Sequence, residues 1–141
     1  MDKREINVKY AEIGNDLIQT EESLKSIRDS NVEIIYLASK HKKVSSGQMV
    51  FGQCEKIADK YKWGIPCDFT ITVFEPCVQQ CEFDEGQIRA LIHHELLHVG
   101  IEREETLIGA EEKYYIVPHD IDDFRLILER YGVNWNCPKL R

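Results

Sequence analysis

The sequence predicts a small α+β domain: a short, mostly antiparallel sheet packed on one strongly marked helix, with a helix near each end of the chain. Three observations predict it. The segment DEGQIRALIHHELLHVG, Asp84 to Gly100, carries a helix start signal, helical apolar spacing, no proline and a terminal glycine. Cys67 to Phe74 (CDFTITVF) alternates polar and apolar residues as far as Val73, as a strand does. The remaining segments fall into the order helix, strands, helix, extended segment, helix.

The elements follow one by one. Residues 7–30 read as helical, because Tyr10, Ile13, Leu17 and Ile18 share a face and Leu24 and Ile27 continue it. Val32 to Leu37 (VEIIYL) is a strand by its β-branched and aromatic content. SKHKKVSSGQ is a polar loop, and Met49 to Cys54 suggests a second strand. Lys56 to Trp63 reads either as a strand extension or as a short helix. After the marked helix, IEREETLIGAEEKYYIVP is polar apart from Tyr114 to Val117, which is expected to be extended. Asp120 to Tyr131 is a last helix, capped by Asp120, with Asp123 in its first turn and Gly132 at its end. The first and last helices are expected to close the side of the marked helix that the sheet leaves open. There is no internal repeat, low-complexity tract or linker.

The marked helix carries the chemistry. Asp84 with Gln87 three residues on forms the capping-box pattern. At about 100° per residue, Ile88, Leu91, Ile92, Leu96 and Val99 fall within an arc of roughly 140°. Glu95 falls inside that arc, where a carboxylate is costly without a partner. His94 and His98 lie at its edge. Two histidines four residues apart on a helix stand one turn above the other, so both imidazoles can hold one metal ion. A glutamate beside the first can take a proton from water on that metal, which is the logic of the zinc-protease motif H-E-x-x-H. His93 points about 100° away from His94 and is expected to be a surface or packing residue.

A catalytic zinc needs a third protein ligand and an open position. His119 is the only histidine after the motif, and the intervening segment is long enough to fold back. Glu111 and Glu112 are the alternatives. Glu102, Glu104 and Glu105 read as solvated charge. Asp120 reads equally as a cap and as a carboxylate orienting a ligand imidazole, and Asp123 admits the same two readings. Tyr114 or Tyr115 is a candidate hydrogen-bond donor to an oxyanion. His41 lies in the basic loop and is expected to be exposed.

Composition bounds the partners. The chain has 141 residues, 43% hydrophobic and 30% charged, as expected of one globular domain with a core. No apolar run approaches the 18 or so residues of a membrane span, and MDKREINVKY lacks the apolar core of a signal peptide, so a cytoplasmic location is expected, with a monomer favoured and the oligomeric state open. A net charge of −7, with only the short KHKK run against it, argues against nucleic acid as a partner. The five cysteines (Cys54, Cys67, Cys77, Cys81 and Cys137) are expected as free thiols, since Cys77 and Cys81 have no second close pair to complete a zinc site.

Several blocks together resemble a metallopeptidase domain family found in bacteriophages and bacterial genomes. They are DLIQT, VEIIYLAS, CDFTITVFEP, QIRALIHHELLHVG and VPHDIDDFRLILERYGVNW, and they span most of the chain. The pairing of HHELLH with a downstream PHD-x-x-x-F segment is more specific than the five-residue motif alone. The resemblance implies a zincin-like fold, His94 and His98 as zinc ligands, Glu95 as catalytic base, His119 as third ligand, and a peptide or protein substrate. His119 and Phe124 are more distantly similar to a histidine-then-phenylalanine segment of SprT-like proteases, although no cysteine-rich ribbon follows here. The competing functions are a catalytically silent zinc-binding or interaction module, a zinc hydrolase acting on a non-protein amide, and a DNA-directed protease.

Overall fold

The computed structural model describes residues 3–61, 63–119, 124–132 and 135. The chain begins with β1 (Arg4–Ile6) and enters α1 (Val8–Thr20) through Asn7, whose side chain accepts from the Tyr10 amide at 2.9 Å. Helix α1 stops at Thr20, short of the expected run to residue 30, because Glu21 adopts an extended backbone (φ −91°, ψ 124°). A single 3-10 turn (Glu22–Leu24) and the short α2 (Lys25–Arg28) follow. The break redirects the chain while Leu24 and Ile27 remain in the core.

Next come β2 (Ile34–Ser39), a tight hairpin of β3 (Val44–Ser45) and β4 (Gln48–Met49), and β5 (Gly52–Lys56). The strand expected at Met49 to Cys54 begins only at Gly52, and the hairpin lies in the segment expected as a loop except for Met49. Its turn residues Ser46 and Gly47 both take positive φ, as a two-residue hairpin connection requires. The ambiguous stretch after β5 becomes a 3-10 turn at Asp59–Tyr61. It is followed by β6 (Phe69–Phe74) and by α3 (Glu75–Gln80), a helix with Pro76 in its first turn that the strand reading did not include. The marked helix is α4 (Glu85–Leu96).

After α4 the polar segment is a long hairpin, β7 (Val99–Thr106) and β8 (Gly109–Ile116), with Gly100 inside β7 and not at a helix end. The last described element is α5 (Arg125–Tyr131). The expected cap at Asp120 and the first-turn Asp123 lie outside the described residues.

The main sheet has the order β1-β2-β6-β5. Its two outer pairings are antiparallel and its central pairing, β2 with β6, is parallel, so the sheet is mixed. Strand β6 is buried on both faces, unlike the half-buried strand its alternation suggested. Phe69, Ile71 and Val73 alternate with Thr72 and Phe74 along it, and all five are buried. Thr72 is tolerated there because its hydroxyl accepts from Arg4, which also bridges to Glu55 at 2.7 Å. Leu17 of α1 and Ile92 and Leu96 of α4 join Ile71 and Val73 in one hydrophobic cluster. Among the described residues no helix is long and apolar enough to cross a membrane.

One close approach holds α1 on the sheet. A Cβ at Gly14 would stand 2.3 Å from the Tyr36 hydroxyl and 2.4 Å from its ring, and Tyr36 is itself buried. Gly14→Ala is expected to destabilise the fold by about 1–3 kcal/mol through overpacking, read by urea denaturation. Adding Tyr36→Phe should recover part of that loss, since it removes the crowding hydroxyl, which has no hydrogen-bond partner among the described residues.

Candidate metal centre

The site is built from the start of α4. The Asp84 carboxylate accepts from the Gln87 amide at 2.8 Å, and the Gln87 side chain accepts from the Asp84 amide at 3.0 Å. That capping box sets the phase in which Leu91, Ile92, Glu95 and Leu96 face inward. The helix ends at Leu96. The next two residues close it, with the Leu97 amide donating to the His93 carbonyl and the His98 amide to that of Glu95, both at 3.1 Å. His98 therefore sits just past the helix, yet its ring centroid lies 5.3 Å from that of His94.

The chain then leaves along β7 and returns along β8. The return is pinned where it arrives. The Val117 amide donates to the His98 carbonyl at 2.7 Å, and His98 Nδ1 donates to the Val117 carbonyl at 2.7 Å. A carbonyl can only accept, so Nδ1 of His98 carries a proton, and in the neutral ring Nε2 is the atom that can bind a metal. Two residues later, His119 Nε2 lies 3.0 Å from both His94 Nε2 and His98 Nε2. The ligand atoms of these three histidines all lie within 4.8 Å of one another. Three nitrogens bound to one tetrahedral zinc at about 2.0–2.1 Å would stand roughly 3.3 Å apart, close to the spacing seen. The donor set therefore fits a metal with a taste for imidazole, and a backbone carbonyl already orients the His98 ring.

Glu95 is 4% exposed, and its Oε1 lies 3.8 Å from His98 Nε2. The start of β5 passes directly over it: a Cβ at Gly52 would meet Glu95 Oε2 at 3.3 Å. Phe124 is wedged against all three rings, at centroid distances of 5.3, 4.9 and 5.1 Å from His94, His98 and His119. Trp135 lies 5.8 Å from His94, and its carbonyl accepts from the Gln87 side chain at 2.9 Å. The capping residue of α4 thus also holds the aromatic wall of the site. Neither aromatic role follows from periodicity. Their only sequence signal is their place in the block that begins VPHD.

His93 is wholly buried, so the packing half of its expectation is the one realised. Its Nε2 shares a hydrogen bond with Ser23 Oγ and its Nδ1 one with Tyr131 Oη, both 3.0 Å long. Burial holds its pKa below the usual histidine value. It is a neutral strut joining α4 to the 3-10 turn and to α5, beside His94.

The other candidates lie elsewhere. Glu112 accepts from the Asn31 amide at 3.0 Å and from the Tyr114 hydroxyl at 2.9 Å, and Glu111 is exposed on β8. Neither belongs to the histidine cluster. Tyr114 packs edge-on to Phe69, and burial with the bond to Glu112 raises its pKa. The Tyr115 ring fills the space beside Gly100, 2.5 Å from where a Cβ would stand. Glu104 pairs with Lys113 at 3.0 Å, and Glu102 and Glu105 are exposed. His41 is exposed as expected. Cys54, Cys67, Cys77 and Cys81 form no disulfide among the described residues, and Cys137 lies outside them, as does Asp120.

A mixed α+β fold with three convergent imidazoles beside a buried glutamate defines a candidate metalloenzyme. The family model described as putative phage metallopeptidase matches residues 3–138, and the chain belongs to that family. No curated protein and no solved structure matches it. Membership implies a peptidase, a metal and a peptide or protein substrate.

Proposed function

We propose that the protein is a zinc-dependent peptidase of zincin-like architecture, with His94, His98 and His119 as the metal ligands and Glu95 as the general base. The observation that carries this reading is the convergence of three Nε2 atoms next to a carboxylate that the helix phase buries. A zinc ion held there acidifies water and polarises a carbonyl. The protein's own groups do the rest. Glu95 takes the proton of the attacking water and passes it to the leaving amine. Phe124 and the Val117 carbonyl hold the imidazoles in place, and β5 shields the carboxylate from solvent.

The sheet also supports a way to hold substrate. The Phe51 carbonyl accepts from Phe74 and the Ile57 amide donates to Asp68, so the odd-numbered residues of β5 bond to β6. Gly52 and Cys54 therefore turn their own N–H and C=O groups outward at the sheet edge, and Gly52 lies over Glu95. An extended peptide pairing with that edge would run past the carboxylate. Of the two edge strands of the main sheet, β5 is the one that lies against Glu95.

A silent structural zinc site is less consistent with this arrangement, because such sites are closed by four protein ligands. Among the described residues the cluster has three. The test is zinc per chain by elemental analysis. About one equivalent is expected in the wild type and in Glu112→Gln, with most of it lost in His119→Ala. A wild type that stays metal-free after zinc is supplied would overturn the proposal.

A further inference from the structure

The β7–β8 hairpin does more than connect His98 to His119. Its register runs from Val99 opposite Ile116 to Thr106 opposite Gly109, leaving Leu107 and Ile108 as a two-residue connection. Strands of eight residues make an arm about 25 Å long. The base is built into the fold. Val99 is buried, Ile101 and Tyr114 pack on the core, and Glu112 is tied to Asn31. Beyond that base, Glu102, Arg103 and all of residues 105–111 are exposed. At the tip, Leu107 and Ile108 are 108% and 95% exposed. A hairpin turn of this length favours Asn-Gly or similar pairs, so two large aliphatic residues there serve neither the turn nor the core.

The charge around the tip says what can cover it. Residues 102–113 carry five glutamates against Arg103 and Lys113, on a chain whose net charge is −7. A second copy, an anionic lipid surface or a nucleic acid would meet this arm with like charge. A protein surface with an apolar socket rimmed by lysine or arginine would meet it with both complementarities.

We propose that the β7–β8 arm is a docking site for a basic protein partner, with Leu107 and Ile108 as the anchor, and that this partner is the protein substrate. The identification of partner with substrate rests on the peptidase reading. The arm leaves and re-enters the fold at two of the three histidines, so a chain gripped at the tip is held at high effective concentration beside the centre.

The test uses fluorescence anisotropy with a peptide of alternating leucine and lysine, and with its leucine–glutamate counterpart. Both are added to the full chain carrying Glu95→Gln, so that neither is cleaved. The lysine peptide should bind and weaken as salt rises. Adding Leu107→Asn with Ile108→Asn should cost about tenfold or more in affinity, with zinc content and circular dichroism unchanged. Equal binding by the tip variant, or equal binding of the glutamate peptide, would overturn the proposal. So would sedimentation showing a dimer that the tip substitutions abolish, or binding to neutral lipid vesicles that they abolish without any effect on peptide. Zinc content and cleavage by the wild type are read separately. Tip-dependent binding without zinc or cleavage removes the peptidase reading and leaves the docking arm. Cleavage that is indifferent to the tip removes the arm and leaves the peptidase.

Discussion

Glu95→Gln is expected to retain zinc and to lose about 10²- to 10⁴-fold in turnover of a labelled unfolded protein such as casein. The amide matches the carboxylate in shape, so the packing of α4 against β5 should survive. It cannot accept a proton at neutral pH, so the general-base step is what the substitution removes. Stability should be unchanged or slightly higher, because Glu95 is 4% exposed and a neutral side chain is cheaper to desolvate than a charged one. Three readouts separate the explanations. Zinc kept with turnover lost is the expected pattern. Zinc lost would mean that Glu95 acts by holding the ligand cluster, its Oε1 being 3.8 Å from His98 Nε2. Turnover at the wild-type rate would remove Glu95 from the chemistry.

The centre of this protein was legible where local rules act alone. The Asp84–Gln87 capping box opens α4, and the helix phase turns Glu95 toward the core, where β5 covers it. His119 as a partner of His94 and His98 came from ligand chemistry and from the absence of another downstream histidine, and the fold brings the three together. What failed to show was non-local. His93 was ambiguous between surface and packing, because its burial comes from Ser23 and Tyr131, far off in sequence. The β7–β8 hairpin showed an extended signal only at Tyr114 to Val117, because most of its other residues face solvent on both sides. A strand without a buried face has no apolar alternation to read. Its turn also lacks the usual residues at Leu107 and Ile108, with glycine arriving only at Gly109, where φ is +131°. Helix α3 was missed although Pro76 in its first turn is a recognised start signal. Its six residues are too few for periodicity to register. The central parallel pairing of β2 with β6 depends on chain crossing, which strand composition does not encode.

Zinc is expected to raise the melting temperature of the wild type by on the order of 10 °C relative to the chelated protein, and that shift should largely vanish in His119→Ala. The three imidazoles belong to different parts of the chain: His94 to α4, His98 to the residues that close it, and His119 to the segment that follows β8. A metal bound by all three ties the return strand to the helix, and the unfolded chain offers no such site. A ligand that binds only the folded state at a thousandfold excess over its Kd adds about 4 kcal/mol, which sets the size of the shift for a domain of this length. Without His119 two candidate ligands remain, one in α4 and one just past its end, so any residual binding no longer bridges the hairpin. The comparison is made by differential scanning fluorimetry with zinc added to, or chelated from, each protein. A full shift in His119→Ala would move the third ligand to a carboxylate on β8, and the same measurement on Glu111→Gln and Glu112→Gln would say which. Leu107→Asn with Ile108→Asn should keep the whole shift, because the tip lies at the far end of the arm from the histidines. A shift lost there would mean that the arm serves the metal, and not a partner.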